Sequence, residues 1–335
     1  MPAPRAVDQA RRWQTALVEH PEAVAVRERG GLRSAVVVNP SKIRDLPEQT
    51  RAVEAALADA GWPAPAWFET TIEDSGYGQA RRAIADGAEV VFACGGDGTV
   101  MECIRALAGS DAALAILPAG TGNLLAANLG LPDDAAAGVT LATEMGRRCL
   151  DVGVVEDRCF AVMAGMGFDA DMVASTSERM KARFGVAAYI WSALRRLGDR
   201  PMRVSVRLDD DPPLQRRART VIVANVGRLQ GGVRLLAAAE PDDGKMDIAI
   251  VAPRSLLHWV RLAWAVLRRH DRIPRMDVLR AARVEVVSDR DQPRQLDGDA
   301  IAPGRTLVVT VRPRVLRLCV PQPERSPDLA EGAPD

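Results

Sequence analysis

One turn in the sequence combines glycines with a carboxylate directly after an apolar stretch. The segment VVFACGGDGTVMECIRALAG, residues 90–109, runs from a buried-strand pattern through this turn into a helical pattern. The turn residues are Gly95, Gly96, Asp97, Gly98 and Thr99. Glycines let the backbone approach a phosphate closely and present unpaired N–H donors. Because the Asp97 carboxylate would repel a phosphate unless a cation stood between them, the turn predicts a nucleotide bound with Mg²⁺. Taken alone, GGDG is more often a plain tight turn.

A second turn makes the nucleotide prediction more specific. The segment LPAGTGNLLAANLG follows the next apolar strand and carries Gly120, Thr121, Gly122 and Asn123. The carboxyl ends of neighbouring parallel strands meet at one edge of a sheet, so both turns should face one ligand. The strand SAVVVNP is followed in the same way by a third turn, formed by Asn39, Pro40, Ser41 and Lys42. Together the turns are much more specific than any of them alone.

Two other carboxylate-bearing turns lie in the second half of the sequence. In RQLDGDAIAPG, Asp297 and Asp299 flank a glycine between two strand patterns, which alone favours a solvated hairpin tip. A kinase acting on a hydroxyl, however, needs a carboxylate to orient it or accept its proton, and the first half offers only Asp97. In PDDGKMD, Asp243 lies in a turn of the kind that supplies oxygen ligands to hard cations, although a plain turn is the more frequent case.

Other phosphate-binding signatures are absent or weak. The sequence contains no GxxxxGK[ST], so a Walker-type ATPase is unsupported. AGMGFDA matches GxGxxA at Gly165, Gly167 and Ala170, but no strand ending in an acidic residue follows about 20 residues later. A structural turn is the favoured interpretation of that segment.

The elements around these turns predict two domains. From Ser34 to Ala127, continuous apolar runs alternate with turns and amphipathic stretches, which is typical of a doubly wound parallel sheet covered by helices. After Asp151 the runs alternate between apolar and polar residues, as in antiparallel strands, with two helical inserts. We expect a helical extension over 1–32, a nucleotide-binding α/β domain over 33–146, a β-sandwich domain over 147–320 and a disordered tail over 321–335.

Composition limits the classes of partner and location. The 335 residues carry 44 basic and 44 acidic side chains, and this formal net charge of zero argues against a nucleic-acid partner. Five cysteines, an odd number at wide spacings, fit a reducing cytoplasm. No signal peptide and no apolar run of membrane-spanning length is found, so we expect a cytoplasmic protein that meets any membrane from outside, as a peripheral protein.

Five segments in order resemble the diacylglycerol kinase catalytic domain family, which includes bacterial lipid kinases and sphingosine kinases. They are NPSK, ACGGDGTVMECIRAL, LPAGTGNLLA, GGVRLLAAAEPDDGKMDIAIVAP and QLDGDAI, and the similarity spans residues 33–321. The resemblance implies an ATP-dependent lipid kinase. It further implies an α/β N-terminal domain with a doubly wound parallel sheet, a mostly antiparallel β-sandwich C-terminal domain, and an active site in the cleft between them.

The resemblance also implies roles for individual residues. ATP phosphates would lie on residues 95–101, on the turn that contains Thr121, and beside residues 39–42. A threonine that contacts ATP falls at Thr70 or Thr71. Magnesium would be held by the Asp243 side chain and by backbone oxygens near Glu240 and Lys245. Asp299 would accept the proton. Asp97, in the first glycine turn, is predicted as the second catalytic carboxylate on its own chemistry, because a carboxylate beside a triphosphate is useful only through a cation or a reacting proton.

Three departures from the family pattern keep alternatives open. The family often has Asn at Met101, an acidic residue at Leu124 and Glu at Asp299. An NAD kinase, which has a similar GGDGT turn and a β-rich second domain, is the enzymatic alternative. A nucleotide-binding regulator with weak or lost catalysis is the alternative from another class. The expected partner is a lipid at a membrane surface; the sequence encodes neither which lipid it is nor the oligomeric state, for which a homodimer is one option.

Overall fold

The computed structural model describes residues 31–120, 123–144, 146–167, 201–229, 233–234, 236, 239–252 and 276–321. Residues 1–30 of the predicted N-terminal extension, the two predicted helical inserts and all but the first residue of the predicted tail lie outside these residues. So do Thr121, Gly122 and Ala170.

Four parallel strands form the N-terminal sheet in the order β2–β1–β3–β4. They are β1 (Ser34–Val38), β2 (Ala66–Glu69), β3 (Val90–Gly95) and β4 (Ala113–Pro118). All residues of β1 and β3 are buried, which is why these strands read as continuous apolar runs. The sheet changes its direction of winding between β1 and β3, and such a point opens a crevice at the carboxyl ends of the strands.

Helices cover both faces of this sheet. They are α1 (Leu46–Asp59), α2 (Tyr77–Ala85), α3 (Asp97–Leu107), α4 (Leu124–Asn128) and α5 (Ala135–Thr143), with a 3-10 turn at Pro40–Lys42. α2 and α3 pack on the face that includes Val37 and Val91. α1 and α5 pack on the opposite face, against Val36 and Phe92. The prediction of a doubly wound α/β domain is therefore confirmed.

The C-terminal domain is mostly antiparallel. Its strands are β5 (Arg147–Val155), β6 (Arg158–Phe160), β7 (Met163–Met166), β8 (Met202–Leu208), β9 (Leu214–Ala218), β10 (Thr220–Ala224), β11 (Arg228–Leu229), β12 (Val233–Arg234), β13 (Met246–Val251), β14 (Met276–Ala281), β15 (Arg283–Leu296) and β16 (Asp299–Cys319). One layer runs β9–β8–β15–β16–β5–β6, and the other runs β7–β10–β13–β14. Register shifts between Val287 and Arg294 let β15 pair with β8 in its first half and with β7 in its last residues. Phe160, Met166, Met202 and Met246 contribute to the core that these strands share.

The last strand belongs to both sheets. β16 pairs with β15 in its first half, and Leu318 near its end pairs in parallel with Leu114 of β4. The pairing of β16 with β5 shifts register between Arg312 and Leu316, and Arg314 there has a positive φ of 52°. One continuous strand therefore connects the N-terminal sheet to the hairpin that begins β16. None of the helices in the described residues has the length and apolar character that crossing a membrane requires.

Candidate active site

The turns after β1 and β3 are joined to each other. The backbone N–H of Asn39 donates to the Cys94 carbonyl at 2.9 Å, and the Asn39 side-chain amide donates to the Thr99 hydroxyl at 3.4 Å. The Asn39 side-chain oxygen accepts from the Ser41 N–H at 3.1 Å and from its hydroxyl at 2.7 Å. Asn39 therefore orders the 3-10 turn that contains Pro40 and Lys42 and ties it to the start of α3.

The glycines of the GGDG turn differ in what surrounds them. A Cβ at Gly95 would lie 2.8 Å from Thr99 side-chain atoms, so that position must be glycine for packing reasons. A Cβ at Gly96 or Gly98 would meet no atom within 4 Å. Open space therefore borders the N-terminus of α3, where unpaired N–H groups and the helix dipole favour an anion.

The second glycine turn touches the first. A Cβ at Gly120 would lie 3.2 Å from the Gly96 Cα, so the two backbones meet closely. Asn123, in the left-handed region with φ of 40°, donates its side-chain N–H to the Gly120 carbonyl at 2.7 Å. The Asp97 carboxylate accepts the backbone N–H of Leu124 at 2.6 Å. The turns predicted to share one edge of the sheet do lie together.

Asp97 therefore has a structural reason to stand among glycines. Burial raises the pKa of its carboxyl group, hydrogen bonds from Leu124 and Asn123 lower that pKa, and the charge of Asp299 raises it. The carboxylate fastens α4 to the GGDG turn while lying within electrostatic range of a carboxylate from the C-terminal domain. From the sequence alone, a cation or a reacting proton is the expected partner of this side chain, and the backbone N–H of Leu124 is a further one.

The two candidate threonines lie at the end of β2 in different settings. The Thr70 N–H donates to the Val38 carbonyl at 2.9 Å, which extends the pairing of β2 with β1. Thr71 closes its own turn, because its hydroxyl accepts from the Asp74 N–H at 3.1 Å. Thr70 is thus the threonine next to the end of β1, where the Asn39 turn begins.

A two-residue turn joins β15 to β16 and carries the second pair of carboxylates. Asp297 and Gly298 have φ of 48° and 96°, so Leu296 and Asp299 face each other across the hairpin. Asp299 is exposed. The Asp297 carboxylate points inward and accepts three backbone N–H groups, at 2.9, 2.9 and 2.7 Å, from Ala161, Val162 and Met163.

The expectation of a solvated tip was therefore wrong for Asp297. Burial is the main cause that raises the pKa of Asp297 to about 6; the three backbone donors oppose this shift, and the charge of Asp97 contributes to it. No local sequence pattern indicates this inward orientation, because the donors come from a turn 134 to 136 residues earlier in the chain.

Comparisons with known proteins identify the family of the chain. Residues 33–155 match the diacylglycerol kinase catalytic domain, and residues 162–320 match the YegS C-terminal NAD kinase beta sandwich-like domain. A Pseudomonas fluorescens protein named "Probable lipid kinase YegS-like" is 31% identical over 293 residues, which cover 87% of this chain and 96% of that protein. A Pseudomonas aeruginosa protein of the same name is 32% identical over 289 residues, covering 82% and 90%.

The chain belongs to the diacylglycerol kinase catalytic domain family. It is therefore a kinase, and the family resemblance predicted from the sequence is confirmed. The crystal structure of a diacylglycerol kinase from Bacillus anthracis shares the fold, with a TM-score of 0.65 at 19% identity, covering 86% of this chain and 96% of that one. A further structure from that organism aligns with a TM-score of 0.73 at 20% identity, covering 89% and 98%.

Two positions where this kinase departs from the family pattern have packing roles. Met101, where the family often has Asn, is partly buried against the core beneath α3. Leu124, where the family often has an acidic residue, is 6% exposed and donates its N–H to Asp97. Both side chains are therefore directed into packing, and neither offers a polar group to a ligand.

The predicted magnesium ligands surround an aspartate that already has protein partners. The Asp243 carboxylate accepts the Lys245 N–H at 2.9 Å and forms an ion pair with the Arg280 guanidinium. Glu240 and Lys245 are exposed. Across the described residues, no group of three or more His, Cys, Asp or Glu side chains is arranged to hold a metal. An arginine therefore neutralises Asp243 in this structure, and magnesium at this turn stays a prediction.

Buried contacts anchor the turn that contains Asp243. Asp242 pairs with the Arg148 guanidinium at 2.7 and 2.9 Å. Asp151, fully buried on β5, accepts the N–H of Gly244 at 2.6 Å and the N–H of Arg314 at 2.7 Å. Asp151 thus fastens both this turn and the bend of β16, a role that the sequence reasoning missed.

Proposed function

We propose that this kinase transfers the γ-phosphate of ATP to a hydroxyl group of a diacylglycerol-like lipid. The observation that carries the proposal is the open N-terminus of α3, together with the Asp299 carboxylate, which lies within electrostatic range of Asp97 at that helix start. The first suits a triphosphate, and the second suits the hydroxyl that attacks it. The names of the relatives, probable lipid kinases, support a lipid as the acceptor class.

Different residues would bind the phosphates and orient the acceptor hydroxyl during phosphoryl transfer. Backbone N–H groups of the Gly96 and Gly120 turns would hold the phosphates, with Asn39 and Thr70 at the neighbouring strand ends. The lipid hydroxyl oxygen would attack the γ-phosphorus, the bond from that phosphorus to the β–γ bridging oxygen would break, and ADP would leave. Asp299, being exposed at the start of β16, would orient the hydroxyl and accept its proton. Mg²⁺ is proposed as a companion of ATP.

A lipid acceptor implies contact with a membrane surface. The formal net charge of zero provides little long-range attraction to anionic lipid, so docking would depend on apolar contacts and local arginines. We therefore propose a cytoplasmic enzyme that visits membranes peripherally. Acceptors presented in vesicles or micelles should be used better than short-chain soluble analogues.

An assay with labelled ATP tests the proposed reaction. Incubation with a total lipid extract, followed by identification of the labelled product, should yield a phosphorylated lipid and reveal its class. NAD is offered in a parallel reaction, because an NAD kinase is the enzymatic alternative. Labelled NADP without labelled lipid would overturn the lipid proposal. ATP binding without any turnover would favour the regulator.

A further inference from the structure

Asp297 makes a more extensive set of contacts than a hairpin tip requires. Its carboxylate accepts from three consecutive backbone N–H groups, those of Ala161, Val162 and Met163. Its own N–H donates back to the Met163 carbonyl at 2.8 Å. The next turn residue is held as well, since the Gly298 N–H donates to the buried Gln295 side-chain oxygen at 2.7 Å.

The turn held by Asp297 packs against the helix of the phosphate turn. Ala161 and Val162 are 1% and 2% exposed and belong to the same core cluster as Val100, Cys103 and Ile104 of α3. α3 begins at Asp97, directly after Gly96. A continuous series of contacts therefore runs from the GGDG turn through α3 and the β6–β7 turn to Asp297.

Asp299 lies two residues after Asp297, so its position depends on the contacts that join Asp297 to the β6–β7 turn and α3. The two-residue turn of Asp297 and Gly298 restricts the position of Asp299, because Leu296 and Asp299 are direct partners across the hairpin. We propose that Asp297 is a positioning residue, which fixes Asp299 relative to the phosphate turn by fastening the β15–β16 hairpin to the turn at 161–163. This inference rests on the proposed role of Asp299 toward the acceptor hydroxyl.

An asparagine at this position separates charge from shape. Val162 and Met163 donate to one carboxylate oxygen, and Ala161 donates to the other. In Asp297→Asn, the amide oxygen can keep the first two bonds, but the amide nitrogen would face the Ala161 N–H. The hairpin would then loosen on one side. Asp291→Asn is the matched control, because Asp291 lies on the same strand with a side chain that is 70% exposed.

A double-mutant cycle on lipid phosphorylation tests the proposal. Asp297→Asn should lower kcat by about tenfold or more with KM for ATP within about twofold, and Asp291→Asn should match the parent. In an Asp299→Asn background, Asp297→Asn should have almost no further effect, because it acts through Asp299. Losses that multiply would overturn the positioning role, and so would a loss of ATP affinity with kcat intact.

Amide hydrogen exchange tests the same contact without using activity. The N–H groups of Ala161, Val162 and Met163 should exchange slowly in the parent, and the Ala161 N–H should exchange at least about tenfold faster in Asp297→Asn. If the asparagine variant does not fold, fast exchange at all three amides in the parent would still overturn the proposal. A parent that phosphorylates no lipid would contradict the proposed function instead, and exchange would then decide the Asp297 contact alone.

Discussion

At the scale of single residues, Asp97 both fastens a helix and lies near a second carboxylate. Its carboxylate accepts the Leu124 N–H at 2.6 Å, and the charge of Asp299 raises its pKa. Asparagine has an oxygen that can accept the same N–H, whereas alanine has none. The two substitutions therefore separate the structural role of Asp97 from its charge.

For Asp97 we predict that Asn and Ala fail in different ways. Asp97→Asn should keep a melting temperature near that of the parent but lose about 10²-fold or more in turnover, because its charge is gone. Asp97→Ala should additionally lose about 1–2 kcal/mol of unfolding free energy, because the Leu124 N–H loses its acceptor. Thermal melts and initial rates measure both effects. Full activity in Asp97→Asn would show that Asp97 has only a structural role, through its hydrogen bond with the Leu124 N–H.

For Asp299 we predict a loss of rate without a loss of nucleotide. Asp299→Asn should slow lipid phosphorylation by about 10²–10⁴-fold, the usual contribution of a general base, while ATP binding persists. Asp299→Glu should retain measurable activity, since Glu is the residue that the family usually has here. Rates with saturating ATP, together with calorimetric ATP titrations, check this prediction. An Asp299→Asn enzyme as fast as the parent would move the base to Asp97 or to the substrate itself.

Residue identities in the turns were predictable from the sequence, but side-chain directions were not. The backbone at Gly95 is closely packed, and the backbone at Gly96 borders open space. Glycines spaced in this way after an apolar strand indicate both situations. Asp297 and Asp299 look alike in the sequence, yet one is held by three amides and the other is exposed. Only tertiary contacts distinguish them.

At the scale of elements, the two glycine turns meet while leaving space at the start of α3. Gly96 has φ of −86° and ψ of −177°, an extended conformation that valine also adopts. Its missing Cβ faces no atom within 4 Å, whereas a Cβ at Gly120 would lie 3.2 Å from the Gly96 Cα. Substitutions at the two positions should therefore have different costs.

We predict that Gly96→Val removes ATP binding without unfolding the protein. The valine side chain would occupy the space that the phosphates need, so affinity should fall by at least about tenfold, or 1.4 kcal/mol. Its melting temperature should stay close to that of the parent. Gly120→Ala should lower both affinity and melting temperature, because its Cβ presses on backbone. Unchanged ATP affinity in a folded Gly96→Val would show that phosphates bind elsewhere.

A buried carboxyl group on β13 gives a pH-dependent stability. Asp247 is 2% exposed, and burial, with the charge of Glu240 adding to it, raises its pKa to about 6 from 3.8. The folded state therefore binds this proton more tightly than the unfolded chain does. The stability that protonated Asp247 contributes is present below about pH 4 and is lost as the pH rises through about 6.

Asp247→Asn should therefore stabilise the protein at neutral pH. We predict a gain of about 1–3 kcal/mol in unfolding free energy at pH 8, shrinking toward zero near pH 4, because asparagine pays no cost of ionisation. Asp277→Asn is the control, since that side chain is 54% exposed and should change stability by less than about 0.5 kcal/mol. Denaturant unfolding at several pH values measures both. A loss of stability at pH 8 would mean that the ion pair with Arg280 outweighs burial.

At the scale of the whole molecule, the final strand links the two halves. The change from continuous to alternating apolar runs predicted two kinds of sheet, and both are present. The sequence did not predict that β16 ends beside β4, because Leu318 and Leu114 are distant in sequence and parallel pairing leaves no local turn signal. The bend at Arg314, anchored by Asp151, lets one strand serve both sheets.

β16 begins at Asp299, the proposed proton acceptor, and ends beside β4 of the N-terminal sheet. We propose that this arrangement transfers phosphate from ATP to a lipid hydroxyl. The most direct measurement is the initial rate of label transfer from γ-labelled ATP to diacylglycerol in phospholipid vesicles, with NAD as the competing acceptor. We predict labelled phosphatidic acid, formed at a rate that Asp299→Asn reduces at least about a hundredfold. Labelled NADP, with no labelled product from diacylglycerol or any other lipid, would overturn the proposed lipid phosphorylation.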